Sequence, residues 1–349
     1  MIKNDIKFDF DDLLIIPKDS SDITSRQNIS IFDENYMLPL FTAPMDTVVG
    51  IENVELFIEN KIVPIIPRGV DLSYCEYDPD TWIAYGLKDY IEFINNPNLD
   101  KNKTYKILID IANGNMKSMH DLITNGKSIL GDKLILMVGN VANPETYRIV
   151  SELGADYCRI GVGNGGGCLT SLNVGVGYPM ASLIKECYDI SCTLATPAKI
   201  VADGGMKNYS DIIKALGLGA NMVMLGSILN KSLESIGETY KANTEPYELV
   251  DQFSPDIKNA FLNGAKYYKK FRGMSTKGAQ KSLGNTILKT SEGVTRMNPV
   301  EYTLEGWIEN LKHYLASAMS YSGASNLNEF IGKADFVRIT EKSYNRFNK

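Results

Sequence analysis

The stretch KLILMVGNVANPETYRIVSELGADYCRIGVGNGGGC (residues 133–168) decides how the chain is read. KLILMV (133–138) is short and apolar, as a strand buried on both faces should be. A helical stretch covers 144–153, and a second short strand covers 157–160. Strand, helix and strand at this spacing make a right-handed βαβ unit in a parallel sheet. The second strand runs into Gly161, Gly163, Gly165, Gly166 and Gly167, with Cys168 directly behind them. Such glycines let the backbone take positive φ and approach a ligand closely, so the loop could present the Cys168 sulfur to a bound molecule. For a glycine-rich run alone, a flexible loop with an incidental cysteine is the plainer reading.

Working outward, the same alternation continues. KILIDI (106–111), KIVA (199–202) and MVML (222–225) read as strands, with helices over 115–124, 178–188 and 209–216. Upstream, LPLFTAP (38–44) and 62–66 are strands, separated by helical spacing over 50–60. These make seven strands, and an eighth is expected near Lys270 and Phe271. The expected fold is α/β, a closed (β/α)8 TIM barrel forming a single domain over 1–349. The first residues read as an arm, 71–103 as irregular with a helix near 87–94, and 231–264 as a peripheral helical insertion. Residues 269–296 are basic, long and without sustained apolar periodicity, as a mobile active-site flap would be. An amphipathic helix over 304–319 and a shorter helix within 320–331 close the domain.

The strand ends repeat one feature. They run into Ala43-Pro44-Met45-Asp46, Asp110 to Gly114, Gly139-Asn140, Gly161 to Cys168, Asp203-Gly204-Gly205 and Gly226-Ser227. Any one of these could merely turn the chain. Six with the same polarity relative to the strands point to the barrel face where an active site is built.

Composition narrows the chemistry. The 36 Lys and Arg against 42 Asp and Glu, a formal charge of -6, argue against a general nucleic-acid binder. The five cysteines are odd in number and lack CxxC spacing, so they read as thiols of a reducing compartment. His120 and His313 both fall in helical stretches, which argues against a Ser-His-Asp triad or a histidine metal site. With no signal-peptide pattern and no apolar run near the roughly 18 residues of a membrane span, a cytoplasmic protein without membrane contact is expected.

At this point the chain resembles the family of IMP dehydrogenase and GMP reductase. The motifs that carry the resemblance are TAPMDTV (42–48), GNV (139–141), the glycine loop with Cys168-x-Thr170, VADGGM (201–206), MLGS (224–227), RGMS (272–275) and SEG (291–293). It extends from FDFDD (8–12) to FVRIT (336–340). The resemblance implies a barrel, usually assembled as a homotetramer, and a thiolate that adds to purine C2 while hydride moves between C2 and a nicotinamide. It makes Cys168 the nucleophile, with Thr170 and Glu292 moving the proton. It places Asp203 on the ribose, and the amides of Gly205, Gly226 and Ser227, with a helix N-terminus nearby, on the 5′-phosphate. Ala43, Met45, Asn140, Arg159, Gly204, Met274 and Ser275 complete the implied substrate set. Asp110, Ala112, Asn113 and Gly114 would face NADPH. A K+ ion held by backbone carbonyls of Gly163, Gly165 and Cys168 is a further candidate, its requirement left open.

Within the family, Asp110-Ile111-Ala112-Asn113-Gly114 and Gly175-Val176-Gly177-Tyr178-Pro179 resemble the reductase branch. The Arg-Tyr pair with which the dehydrogenase hydrolyses its intermediate is missing between Met274 and Glu292. These imply NADPH-dependent conversion of GMP to IMP and ammonia. Conversion of IMP to XMP with NAD, or a reaction on another purine nucleotide, is the alternative. A nucleotide-binding barrel without turnover is a third reading. The chain also departs from the family's G-P-G-S-x-C-T-T-R: Asn164 replaces the loop proline, Gly166 the phosphate-binding serine, and Ser171 the arginine. Pro44 and Ser227 lean toward the dehydrogenase.

Overall fold

The computed structural model describes residues 5–70, 81–242, 246–283, 286–288 and 290–347. Cys75 and the flap residues Gly284, Asn285 and Lys289 lie outside them. The N-terminal arm contributes one short strand, β1 (Leu13–Ile15). The barrel strands are β2 (Leu40–Thr42), β3 (Ile65–Ile66), β4 (Trp82–Tyr85), β5 (Tyr105–Asp110), β6 (Leu134–Val141), β7 (Tyr157–Ile160), β8 (Lys199–Asp203) and β9 (Met222–Leu225). They form one parallel sheet in the order β2-β9-β8-β7-β6-β5-β4-β3. A parallel bridge between Phe41 and Val63 joins its two edges and closes the (β/α)8 barrel. The intervening helices include α1 (Val54–Glu59), α2 (Leu87–Ile94), α3 (Lys117–Leu130), α4 (Pro144–Glu152), a one-turn α5 (Thr170–Val174), α6 (Met180–Ser191) and α7 (Tyr209–Leu218).

Why the strands are apolar throughout is visible in their alternation. Leu108, Met137, Val201 and Met224 pack inside the barrel, while Ile107, Leu136, Ile200 and Val223 pack outward against the helices. Each strand is thus buried on both faces, so period-2 polarity is lost. At the N-terminal ends of the strands, the rings of Phe41, Trp82 and Tyr157 meet edge to face, with centroids 5.2–6.0 Å apart. They fill the lower barrel and leave the loop-bearing upper face for a site.

Two expectations fail. The eighth barrel strand is β4, within the stretch read as irregular, and not the segment around Lys270 and Phe271. Its WIAY run is only four residues long and follows a polar stretch, so it carries little signal. Residues 231–264 are not a helical insertion. After the four-residue α8 (Ser227–Asn230), they hold β10 (Thr239–Lys241), β11 (Leu249–Val250) and one helix, α9 (Pro255–Leu262). These strands join β12 (Tyr267–Arg272) and β13 (Thr295–Pro299) in a four-stranded antiparallel sheet, order β11-β10-β12-β13. The flap is therefore the arm between β12 and β13, carrying the short α10 (Lys277–Ser282). After it, α11 (Leu304–Tyr321) and α12 (Leu327–Phe330) complete the helical layer. β14 (Phe336–Arg338) pairs antiparallel with β1, tying the C-terminal region to the arm.

Candidate active site

The upper barrel face encloses a cavity of about 280 Å³ lined by the ends of several strands. Gly161 turns β7 into the Cys loop at φ +128°, and a Cβ there would lie 2.2 Å from the Asp203 carbonyl oxygen. Only glycine fits that bend and that approach. The loop then folds on itself, with the Cys168 N–H donating to the Gly165 carbonyl at 2.9 Å.

The flap completes this loop. The Leu169 N–H donates to the Glu292 carbonyl at 2.7 Å, the Val294 N–H to Gly167 O at 3.1 Å, and the Gly273 N–H to Val294 O at 3.0 Å. Cys168 and Gly293 form an antiparallel bridge. A Cβ on Gly167 would lie 2.6 Å from the Phe271 ring, so glycine is what lets the strands close this tightly. Main-chain pairing thus delivers the Glu292 side chain to a fixed place. The Cys168 thiol donates to Thr170 Oγ1 at 3.2 Å, and the Thr170 hydroxyl donates to Glu292 Oε2 at 2.7 Å. Thiol, hydroxyl and carboxylate form a continuous relay across 124 residues of sequence, closed by the flap.

The same cavity wall carries a chain of charges. Asp110 accepts from Arg159 Nη1 at 2.6 Å, and Arg159 Nε donates to Asp203 at 2.9 Å. Asn140, at a register shift between β6 and β7, donates to the same Asp203 oxygen and to the Gly161 carbonyl, each at 2.9 Å. Arg68 Nε faces Asp110 at 3.0 Å as an ion pair. Burial works against the Arg159 charge, but the Asp203 and Asp110 carboxylates outweigh it and raise its pKa. Asp203 is therefore oriented by two donors while keeping its other oxygen for a ligand. At the root of the flap, Arg272 is ion-paired with Asp46 of the β2 loop.

The structure brings most of the sequence-predicted residues together. Ala43, Met45, Asn140, Arg159, Asp203, Gly204, Gly205, Gly226, Ser227, Met274 and Ser275 line the cavity, as do Cys168, Thr170, Gly163 and Gly165. Asp110 and Ala112 also reach it. Asn113 and Gly114 do not: Asn113 is exposed and accepts from the Asn115 N–H, while the Gly114 N–H donates to the Asn140 carbonyl. Sequence reasoning missed Arg68 and Phe271, both lining the cavity. Arg68 had a signal, a charge between Pro67 and Gly69 at a strand end. Phe271 had none, because its segment was assigned to the barrel wall.

The family model described as IMP dehydrogenase / GMP reductase domain matches residues 88–251 and 254–347. Similar proteins include a GMP reductase of Caenorhabditis elegans, 28% identical over 371 residues, covering 98% of this chain and 94% of that protein. A GMP reductase of Buchnera aphidicola subsp. Schizaphis graminum is 29% identical over 375 residues, covering 99% and 98%. One of Photobacterium profundum is 27% identical over 376 residues, covering 100% and 99%. With this match spanning more than half of its length, the chain belongs to the IMP dehydrogenase / GMP reductase family.

Proposed function

We propose that this protein reductively deaminates GMP: GMP, NADPH and a proton give IMP, NADP+ and ammonia. The observation that carries the reading is the Cys168–Thr170–Glu292 relay, which can take a thiol proton and return it to a leaving amine without any histidine. As its proton passes through Thr170 toward Glu292, the Cys168 sulfur adds to purine C2, and the π electrons of the ring C2=N bond move to the ring nitrogen. Protonation through Thr170 and Glu292 lets the exocyclic nitrogen leave as ammonia, and the C2=N bond reforms with sulfur still attached. NADPH, when bound, supplies the hydride to C2. Cys168 then departs as thiolate, leaving IMP. The absence of arginine and tyrosine between Met274 and Glu292 supports this direction over hydrolysis of the thioether intermediate.

The cavity, near the lower end of the roughly 300–1,000 Å³ typical of ligand sites, suits one mononucleotide. Asp203 would hold the ribose, Met274 and Ser275 the base, and Gly205, Gly226 and Ser227 the phosphate. The rest of the dinucleotide would lie outside, along the exposed Ala112 and Asn113, with the buried Gly114 behind them. Asp110 is committed to Arg68 and Arg159, so its part would be to hold Arg159 and the strand end. K+ would share the carbonyls of Gly163, Gly165 and Cys168. The first two already accept from Ser171 Oγ and the Cys168 N–H, each with a lone pair to spare. A homotetramer belongs to the same reading.

The test follows reduced-nicotinamide absorbance with GMP plus NADPH, and separately with IMP plus NAD+. Loss of absorbance in the first is expected. Gain in the second with nothing in the first would replace the reading with a dehydrogenase, and silence in both, with nucleotide binding detected calorimetrically, would favour a binding barrel without turnover.

A further inference from the structure

Gly166 leaves open space at the crest of the Cys loop. A Cβ placed there would lie 3.4 Å from Ser227 Oγ and 3.5 Å from Arg296 Nη2. Two side-chain donors from separate elements, the first residue of α8 and the flap strand β13, therefore converge on one point. Neither is spent elsewhere: among the described residues Ser227 Oγ has no hydrogen-bond partner, and no carboxylate pairs with Arg296. The guanidinium is nonetheless placed, stacked 5.0 Å over the ring of Phe271, itself buried. An unneutralised guanidinium and a hydroxyl, aimed at an open pocket wall with no side chain between them, make a receptor for an oxyanion.

Gly166 and Ser227 line the cavity that holds Cys168, so the anion belongs to the molecule bound there. We propose that Arg296, together with Ser227, grips the 5′-phosphate of the substrate nucleotide; this rests on reading the cavity as a purine mononucleotide site. Arg296 follows Glu292 by four residues, on a segment whose Val294 N–H is paired with Gly167 O. A grip on the phosphate would therefore also hold the flap, and with it Glu292, against the Cys loop. The phosphate acts here as a latch for the proton relay as well as a handle for affinity.

The test is calorimetric binding of GMP and of guanosine, without cofactor, to the wild type, Arg296→Gln and Arg296→Lys. Arg296 is exposed, so neither substitution disturbs a packed core. The wild type should prefer GMP. Arg296→Gln should weaken GMP binding about ten- to hundredfold, the scale of a charge-assisted hydrogen bond, with guanosine affinity unchanged. Arg296→Lys should recover part of the loss, keeping charge without the planar fork. If Arg296→Gln keeps the full preference for GMP, Arg296 is no phosphate ligand, although the nucleotide site stands. Equal losses for GMP and guanosine would make its role structural and overturn the proposal. In a separate NADPH titration of the same proteins, a weakened NADPH affinity with GMP binding intact would move Arg296 to the cofactor's phosphates and likewise overturn the proposal. A wild type that binds guanosine as well as GMP would overturn both the proposal and the reading beneath it.

Discussion

Cys168, Thr170 and Glu292 owe their contact to main-chain pairing between the Cys loop and the flap. That division of labour sets what each substitution should do. Cys168→Ala removes the nucleophile and little contact area, so turnover should fall more than a hundredfold while GMP binding persists. Retention of more than about a tenth of the activity would exclude a covalent route. Glu292→Gln preserves the shape of the relay and removes its base. Ammonia release in single-turnover experiments should slow by about 10²–10⁴-fold, with hydride transfer measured in reverse, from IMP to NADP+, less affected. An unchanged release rate would leave Glu292 as a structural part of the flap turn.

The element that carries the flap, β12, contains a fully buried lysine. Lys269 Nζ donates to the carbonyls of Leu233 and Ser235, each at 2.6 Å, and burial pulls its pKa from 10.5 down to about 7. Above pH 10.5 the lysine is neutral in both folded and unfolded chains. Between pH 10.5 and 7 the unfolded chain binds the proton and the folded chain does not, so stability falls as pH falls. Below about 7 the loss is complete and the curve levels off. Lysine-specific stabilisation should thus be up to about 4 kcal/mol greater at pH 10 than at pH 7, the carbonyl contacts reducing this figure. Chemical denaturation at both pH values should show this slope in the wild type and a flatter one in Lys269→Met. Equal slopes in the two proteins would show that Lys269 is charged in the fold.

For the whole molecule, the barrel separates stability from chemistry along its axis. The Phe41, Trp82 and Tyr157 rings fill one end, and the Cys loop and flap occupy the other. Trp82→Ala should cost about 3–5 kcal/mol in unfolding free energy through the cavity it leaves, with kcat at low temperature nearly unchanged. A large loss of kcat in a folded Trp82→Ala variant would mean that the two ends are coupled. The sequence by itself determined the barrel, because strands buried on both faces must be apolar throughout and glycines must stand wherever loop and strand backbones nearly touch. It also marked Cys168, Thr170, Asp203 and Glu292 through their motifs. It did not determine β4, four residues too short to announce themselves, or the antiparallel sheet that carries the flap, whose partially exposed strands lack an apolar rhythm. Only tertiary structure decided that Glu292 reaches Thr170, that Asp110 serves Arg159, and that Arg296 stands over Gly166. Those contacts join residues up to 130 positions apart, through main-chain pairing and charge neutralisation that leave no local pattern in the chain.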